Sequence, residues 1–315
     1  MDNSPDGQKI FLLMPAFNDR ASLELLLPNV KEVISEQKFE VVLVDDGSTQ
    51  DICDINLLLE NELAGCVVEL RANVGQQAAI VAGLEIVHSK MSAKDLLVVM
   101  DADGEDPPQA IISLVNKANE LNKPVVASRS GRSATLAFMF GYHIFKIMFY
   151  VLTGRSMNFG NFMCLNRDVV ERLLAMPSLS YSLPSTLLLS RLSIERLPVN
   201  RSKRLLGQSH MDVTGLVLHG IGCIRVFSKD VVIRLVLMSL LLMACLCVTA
   251  FAILGIKLYG IAVSGWASLA LGIIGLFVVQ ILSFLFLAAI TEPGLRAGVL
   301  GDITNMKIVK KVTYS

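Results

Sequence analysis

Four short clusters carry side chains able to handle a charged substrate. They are Pro15-Ala16-Phe17-Asn18-Asp19, Asp45-Asp46-Gly47-Ser48-Thr49, Asn73-Val74-Gly75-Gln76 and Asp101-Ala102-Asp103-Gly104-Glu105-Asp106-Pro107-Pro108. The last packs four carboxylates into six residues. Like charges so close repel unless a cation is present. Oxygen ligands select a hard one, Mg2+ or Mn2+, shared with a diphosphate. Asp101 and Asp103 stand two apart, so in extended backbone they point the same way and can grip one ion. Neither GxGxxG nor GxxxxGK[ST] occurs, which leaves a dinucleotide-binding turn and a P-loop without support.

These clusters follow short apolar runs at 10–14, 41–44, 67–70 and 96–100. The runs are too short for helices and read as buried parallel strands. A fifth such run lies at 125–128. Between the first four lie stretches of helical composition, 21–36, 51–63 and 75–88. The βαβ alternation predicts an α/β doubly wound sheet, in which ligands bind beyond the carboxyl ends of the strands. All four clusters would then meet at one cleft.

The chain has 315 residues, is 53% hydrophobic and has 28 basic and 28 acidic residues. Its mean hydropathy is +0.58. The length suits about two domains, and the composition excludes a disordered chain. The zero net charge argues against a nucleic-acid partner, but it is a cancellation. Residues 1–120 carry 8 Lys/Arg and 21 Asp/Glu, residues 121–230 carry 14 and 5, and residues 231–315 carry 6 and 2. The acidic third holds the carboxylates that call for a cation; the basic third suits phosphates and a headgroup surface. Six cysteines without a CxxC pair give no disulfide framework and no zinc site, as in a reducing compartment. The amino terminus has no apolar run behind a basic start, so no signal peptide is expected.

No charge occurs over 235–256 or over 258–291. A membrane span needs about 20 apolar residues, so two transmembrane helices are predicted, the second from about 266 to 290 after a turn at Gly260, Ser264 and Gly265. Arg225, Lys229 and Arg234 precede the pair, Arg296, Lys307, Lys310 and Lys311 follow it, and the connection has only Lys257. This bias puts both termini in the cytoplasm. The expected organisation is a cytoplasmic catalytic domain over 1–230, a two-helix hairpin over 231–291 and a cytoplasmic tail over 292–315. Two further apolar segments, near 134–152 and 211–229, are expected as helices lying on the membrane, the first flanked by Arg129, Arg132 and Arg155 and carrying Lys146.

The motifs PAFND, VDDGSTQD, NVGQQAAIVAGL and DADGEDPPQ resemble, in this order, those of family 2 glycosyltransferases with the GT-A fold. The closer resemblance is to polyprenyl-phosphate glycosyltransferases, the group of dolichyl-phosphate mannose synthase and its bacterial two-span relatives. It covers roughly residues 8–295 and is strongest in the first 130. It implies a GT-A Rossmann-like nucleotide-sugar-binding domain followed by interfacial helices and two C-terminal transmembrane helices. Pro15, Phe17 and Asp19 would line the base and ribose pocket. Asp45, Asp46, Asn73, Gly75, Asp101, Ala102 and Asp103 would complete the donor site. Asp101, Asp103 and Glu105 would hold the metal, Glu105 standing where the family usually has Gln. Arg204, Gly207 and Ser209 match an Arg-x-x-Gly-x-Ser segment, with His210 in place of the usual Lys. Together with Arg129, Arg132 and Arg201, Arg204 and Ser209 would bind the acceptor phosphate.

Many relatives have Asp at the position of Asn158 or Asn161, proposed as the base, and Asn takes no proton at neutral pH. A lipid-phosphate acceptor is already anionic and needs positioning more than deprotonation, so catalysis is expected to rest on Asp103, Arg129, Asn161 and Arg204. The implied reaction is inverting transfer of a sugar from a UDP- or GDP-linked donor to a polyprenyl phosphate at the cytoplasmic face of the inner membrane. Gly- and Ala-containing span faces are compatible with a homo-oligomer. The alternatives are another lipid or glycan acceptor, or a non-catalytic membrane protein that binds nucleotide sugars. A processive synthase is disfavoured, since QxxRW is absent and the only Trp is Trp266.

Overall fold

The computed structural model describes residues 7–35, 37–130, 136–202, 204–206, 213–259, 265–291 and 308–315. The four apolar runs form β1 (Ile10–Ala16), β2 (Phe39–Asp45), β3 (Gly65–Leu70) and β4 (Leu96–Val99). They pair in parallel in the order β3-β2-β1-β4. Alternate side chains enter two separate cores. Leu12, Met14, Val41 and Leu43 face one side, and Phe11, Leu13, Val42 and Val44 the other. Burial on both faces is the reason these strands read as unbroken apolar runs rather than alternating ones.

The helices over these faces are α1 (Arg20–Ile34), the short α2 (Asn56–Glu60), α3 (Gln76–Lys90) and α4 (Gln109–Leu121). Leu23, Leu26, Leu27 and Val30 of α1 and Ile111, Leu114 and Val115 of α4 join the first core. Ala79, Ile80, Leu84 and Val87 of α3 join the second. The expected helix over 51–63 is confined to α2, because Cys53 N donates to Asp45 Oδ2 at 2.7 Å and holds the segment before it as a loop.

Beyond β4 the sheet departs from a purely parallel, sequential order. β5 (Val125–Ser130) does not neighbour β4. Between them lies β6 (Phe159–Asn166), antiparallel to both. β6 passes directly into α6 (Arg167–Leu174), whose first turn is capped by the Asn166 side chain accepting from Val169 N. A 3-10 turn (Pro177–Ser180) and α7 (Leu183–Leu189) lead to β7 (Glu195–Asn200), parallel to β5 at one edge. Past α5 (Leu136–Thr153) and α8 (Val213–Arg225), two long helices follow, α9 (Ser228–Leu258) and α10 (Trp266–Thr291). Residues 309–314, expected within a tail, form β8 (Val309–Tyr314), antiparallel to β3 at the other edge, with Lys90 Nζ 4.4 Å from the Tyr314 ring centre.

The chain divides into two compact units. Residues 1–143, 157–226 and 298–315 make the sheet unit; residues 144–156 and 227–297 make a helical unit. Within the helical unit α9 packs on α10, Phe149 meets Phe227 edge-on at 5.8 Å, and Arg234 Nη1 donates to Val151 O at 3.4 Å. Two helices of spanning length were expected. Among the described residues one, α9, is long and apolar enough to cross a membrane; Ser268–Phe284 of α10 and His143–Thr153 of α5 are shorter apolar stretches.

Candidate functional site

The carboxyl ends of β1, β2 and β4 lie side by side, which brings three of the four clusters together, and the start of α3 supplies the fourth. Asn18 stitches the first two loops: its Oδ1 accepts from Thr49 N at 3.1 Å and Gln50 N at 3.2 Å, and its own N–H donates to Ser48 Oγ at 2.8 Å. Pro15 is buried within β1, while Phe17 and Asp19 are half-buried at its end.

The two aspartates that end β2 do different work. Asp45 is buried, with Oδ1 accepting from Ser48 N and Oδ2 from Cys53 N, both at 2.7 Å. Both oxygens thus bind this loop's own backbone. Asp46 is buried as well, and accepts from Val74 N at 2.8 Å and Gly75 N at 2.9 Å. Burial pushes its carboxyl up to about 6, with Asp45 adding to the rise and the two N–H donors opposing it. Asn73 Oδ1 accepts from Gly75 N at 3.2 Å.

Asp101 follows β4. Its Oδ1 accepts from Gln76 Nε2 at 2.8 Å and Asn161 Nδ2 at 3.4 Å, and its N–H donates to Asp106 Oδ2 at 3.2 Å. Asn161, on β6, accepts in turn from Gln77 Nε2 at 3.3 Å, and Gln77 Oε1 accepts from Leu183 N at 2.7 Å. An amide ladder therefore joins α7, α3 and β6 to the Asp101 carboxylate. Gln76 and Asp106 stand in the clusters singled out from the sequence but carry no assigned role there, and Gln77 lies outside those clusters. Gln76 and Gln77 stand directly after Gly75, in the first turn of α3, which was the one signal available for them. Ala102 is buried beneath this turn.

The remaining carboxylates meet cations. Arg204 Nη2 donates to Asp103 Oδ2 at 2.7 Å and its Nε lies 3.6 Å from Glu105 Oε1. Arg201 Nη1 donates to Glu105 Oε2, and the same guanidinium lies 3.9 Å from Asp101 Oδ2 and 3.9 Å from Asp106 Oδ1. Burial raises the Asp103 and Asp106 carboxyls, Asp101 pushes both further up, and the arginines pull them back. Asp101, Asp106, Asn161 and Arg201 line a small cavity with Gly160 and Phe162.

Among the described residues no three His, Cys, Asp or Glu side chains converge on one point. A hard divalent ion does not need that, since it is commonly held by one or two carboxylates and completed by substrate phosphates and water. The all-oxygen donor set and its surplus of negative charge fit such an ion at Asp101 and Asp103. Arg129 lies on β5, its backbone paired with Val199. Arg132, Ser209 and His210 lie outside the described residues.

A model of glycosyl transferase family 2 matches residues 11–174. An undecaprenyl-phosphate 4-deoxy-4-formamido-L-arabinose transferase of Yersinia enterocolitica is 30% identical over 182 residues, 55% of this chain and 54% of its own length. The transferase of that name from Salmonella paratyphi B is 26% identical over 218 residues, 67% of this chain and 64% of its own. The chain spans about half the length of the first of these relatives. The fold is shared with glucosyl-3-phosphoglycerate synthase from Mycobacterium tuberculosis, solved with Mn2+, UDP-glucose and phosphoglyceric acid, at a TM-score of 0.52 and 15% identity over 71% of this chain and 80% of that one.

Proposed function

Since the chain belongs to glycosyl transferase family 2, we propose that it moves a sugar from a UDP- or GDP-linked donor to a polyprenyl phosphate, by inverting displacement at the cytoplasmic face of a membrane. The observation that carries this is the gathering of Asp46, Asp101 and Asp103 at the carboxyl edge of a parallel sheet, with Asp101 held in place by Gln76 and Asn161. The relatives named as undecaprenyl-phosphate sugar transferases support the acceptor class.

In this mechanism Asp101 and Asp103 would hold a divalent ion, which when bound would supply positive charge to offset that of the departing nucleoside diphosphate. Pro15, Phe17, Asp19 and Asp46 hold the nucleoside, and Asp45 sets the loop that presents Asp46. Asn73, Gly75 and Ala102 complete the donor wall. Arg129, Arg132, Arg201, Arg204 and Ser209 bind acceptor phosphate. An acceptor oxygen forms the new bond to the anomeric carbon as the bond to the diphosphate breaks. The acceptor arrives already ionised, so Asn161 serves by orienting Asp101 and no side chain needs to take a proton.

Two membrane crossings, by α9 and α10, complete the proposal. The exposed apolar side chains of both helices, such as Phe251 and Leu276, call for a lipid surround. The C-terminal strand supports an even number of crossings. β8 pairs with β3 inside the sheet unit that the chain left before α9, so the chain returns to the side from which it departed. Both termini then face the cytoplasm.

The test is a transfer assay in sealed membrane vesicles with Mn2+, labelled nucleotide sugars and undecaprenyl phosphate. Lipid-linked label is expected from one donor, in inverted vesicles and not in right-side-out ones. Label in neither orientation, beside an active relative, would refute the transfer; label only in right-side-out vesicles would refute the topology.

Donor affinity should also depend on pH through Asp46. Ionised near neutrality, it orders Val74 and Gly75 by accepting their N–H groups; protonated, it accepts poorly. Donor affinity is therefore expected to fall as pH drops through about 6. Stability moves the other way. Because the folded value lies above the ordinary 3.8, this group favours the folded state most at low pH and loses that contribution as pH rises through about 6. Titration calorimetry checks the first trend, and Asp46→Asn should flatten it; an unchanged profile in the variant would assign the pH dependence elsewhere.

A further inference from the structure

Arg201, Ser202, Arg204 and Leu205, which follow β7, lie over the acidic turn that follows β4. Two backbone bonds seat them: Ser202 N donates to Glu105 O at 2.9 Å and Leu205 N to Asp103 O at 3.2 Å. The Leu205 side chain covers Gly104, where a Cβ would stand 2.5 Å from Leu205 Cγ. Gly104 has φ of +77°, a conformation L side chains rarely adopt, so the turn keeps both its shape and room for the crossing chain. Arg201 and Arg204 then reach all four carboxylates, and Glu105 is the one that both guanidiniums contact.

We propose that this segment is a strap latched by Glu105, whose two guanidiniums exchange with the divalent ion of the donor site. The inference rests on the metal role given above to Asp101 and Asp103 and adds a role for Glu105 distinct from ligation. Charge supports the exchange. Two guanidiniums carry the charge of one divalent cation, so the four carboxylates keep the same balance in either state. The fit of the strap is imperfect in a way that leaves it displaceable. Arg201 Nε is buried without a hydrogen-bond acceptor, 3.9 Å from Asp106 Oδ1. A buried donor left unmade is unfavourable, and release of the strap returns it to water or to a phosphate. With an ion at Asp101 and Asp103, the arginines it frees become available to the phosphates of the donor. Glu105 is thus a positioning residue. It parks the strap in the absence of an ion and competes with phosphate for the arginines in its presence.

The latch and the ligand roles of Glu105 predict opposite signs. If Glu105 latches the strap, Glu105→Gln removes the ion pair that holds the arginines and Mn2+ binding tightens, on the order of tenfold for one charged hydrogen bond. If Glu105 is a ligand, the same change weakens Mn2+ binding. Binding of Mn2+ alone to the full-length protein, read by electron paramagnetic resonance, gives the sign. Arg201→Gln cuts the same bond from the other side and should tighten binding too, which guards against a folding defect in either variant. Limited trypsinolysis supplies a second readout. Cleavage after Arg201 and Arg204 should be slow in the wild type, faster with saturating Mn2+, and fast without Mn2+ in Glu105→Gln. Mn2+ binding that leaves wild-type cleavage unchanged, or that weakens in Glu105→Gln, overturns the strap alone. Absence of Mn2+ binding in the wild type and both variants overturns the metal role as well.

Discussion

Asp101→Ala is expected to lower sugar transfer by about three orders of magnitude while leaving the melting temperature within a few degrees of the wild type. The loss follows from what the carboxylate holds. It is the acceptor on which Gln76 Nε2 and Asn161 Nδ2 converge, and it is one of the two oxygens-bearing groups proposed for the ion. Removing it takes away charge stabilisation of the leaving diphosphate and at the same time frees the amides that fix the site's geometry. Deleting one preorganised electrostatic contact of this kind reduces turnover by about 10²–10³, and the loosened amides add to that. The fold should tolerate the change because β4 is anchored by Leu96, Leu97, Val98 and Val99, all buried, and because the substitution removes a negative charge from a turn that holds three others. Single-turnover transfer and a circular-dichroism melt on the same preparation check both halves. Transfer within tenfold of the wild type would exclude Asp101 from the reaction.

How much of this was legible beforehand depended on whether the deciding contacts were local. β1 to β4 could be read because burial on both faces turns each into an apolar run bounded by polar turns. β6 could not. Its sequence, FGNFMCLN, carries polar residues at Asn161 and Asn166, and only its pairing with β4 and β5 makes it a strand. β7 contains Pro198 and alternates in burial, as an edge strand does, and β8 owes its existence to β3, which lies far away in sequence. The site followed the same rule. Asp46, Asp101 and Asp103 were legible as strand-end carboxylates. The amide ladder through Gln76, Gln77 and Asn161 required β6 to be in place first. Charge and, for Arg204, the resemblance of its Arg-x-x-Gly-x-Ser segment point to phosphate ligands, while the contacts that Arg201 and Arg204 make with Asp103 and Glu105 depend on the return of β7 to the sheet.

Gly47→Ala is expected to be the most damaging methyl group that can be added to the donor loops. Gly47 has φ of +67°, and a Cβ there would stand 2.4 Å from Ala72 C, 2.6 Å from Asn73 N and 2.8 Å from Ala72 Cα. All three are backbone atoms, so no rotamer change relieves the contact; the chain at 72–73 must move. The next two residues are Val74 and Gly75, whose N–H groups satisfy the buried Asp46 carboxylate. The left-handed backbone alone disfavours an L residue by about 1–2 kcal/mol. Pulling one charged hydrogen bond from Asp46 adds about 1.5–3 kcal/mol. Together these approach about 4 kcal/mol, which at about 2–4 °C per kcal/mol for a domain of this size lowers the melting temperature by roughly 10 °C. Donor affinity should fall with it, because the displaced loop is the one that Asp46 orders. Gly75→Ala is the matched control. Gly75 also has positive φ, +89°, but a Cβ there meets nothing within 4 Å, so only the conformational part of the penalty applies and the drop should be a few degrees. The difference between the two melts isolates the crowding of Gly47 against the 72–73 backbone. If the two variants melt together and bind donor alike, that backbone yields freely, and the coupling between the β2 turn and the start of α3 is not what shapes the donor site.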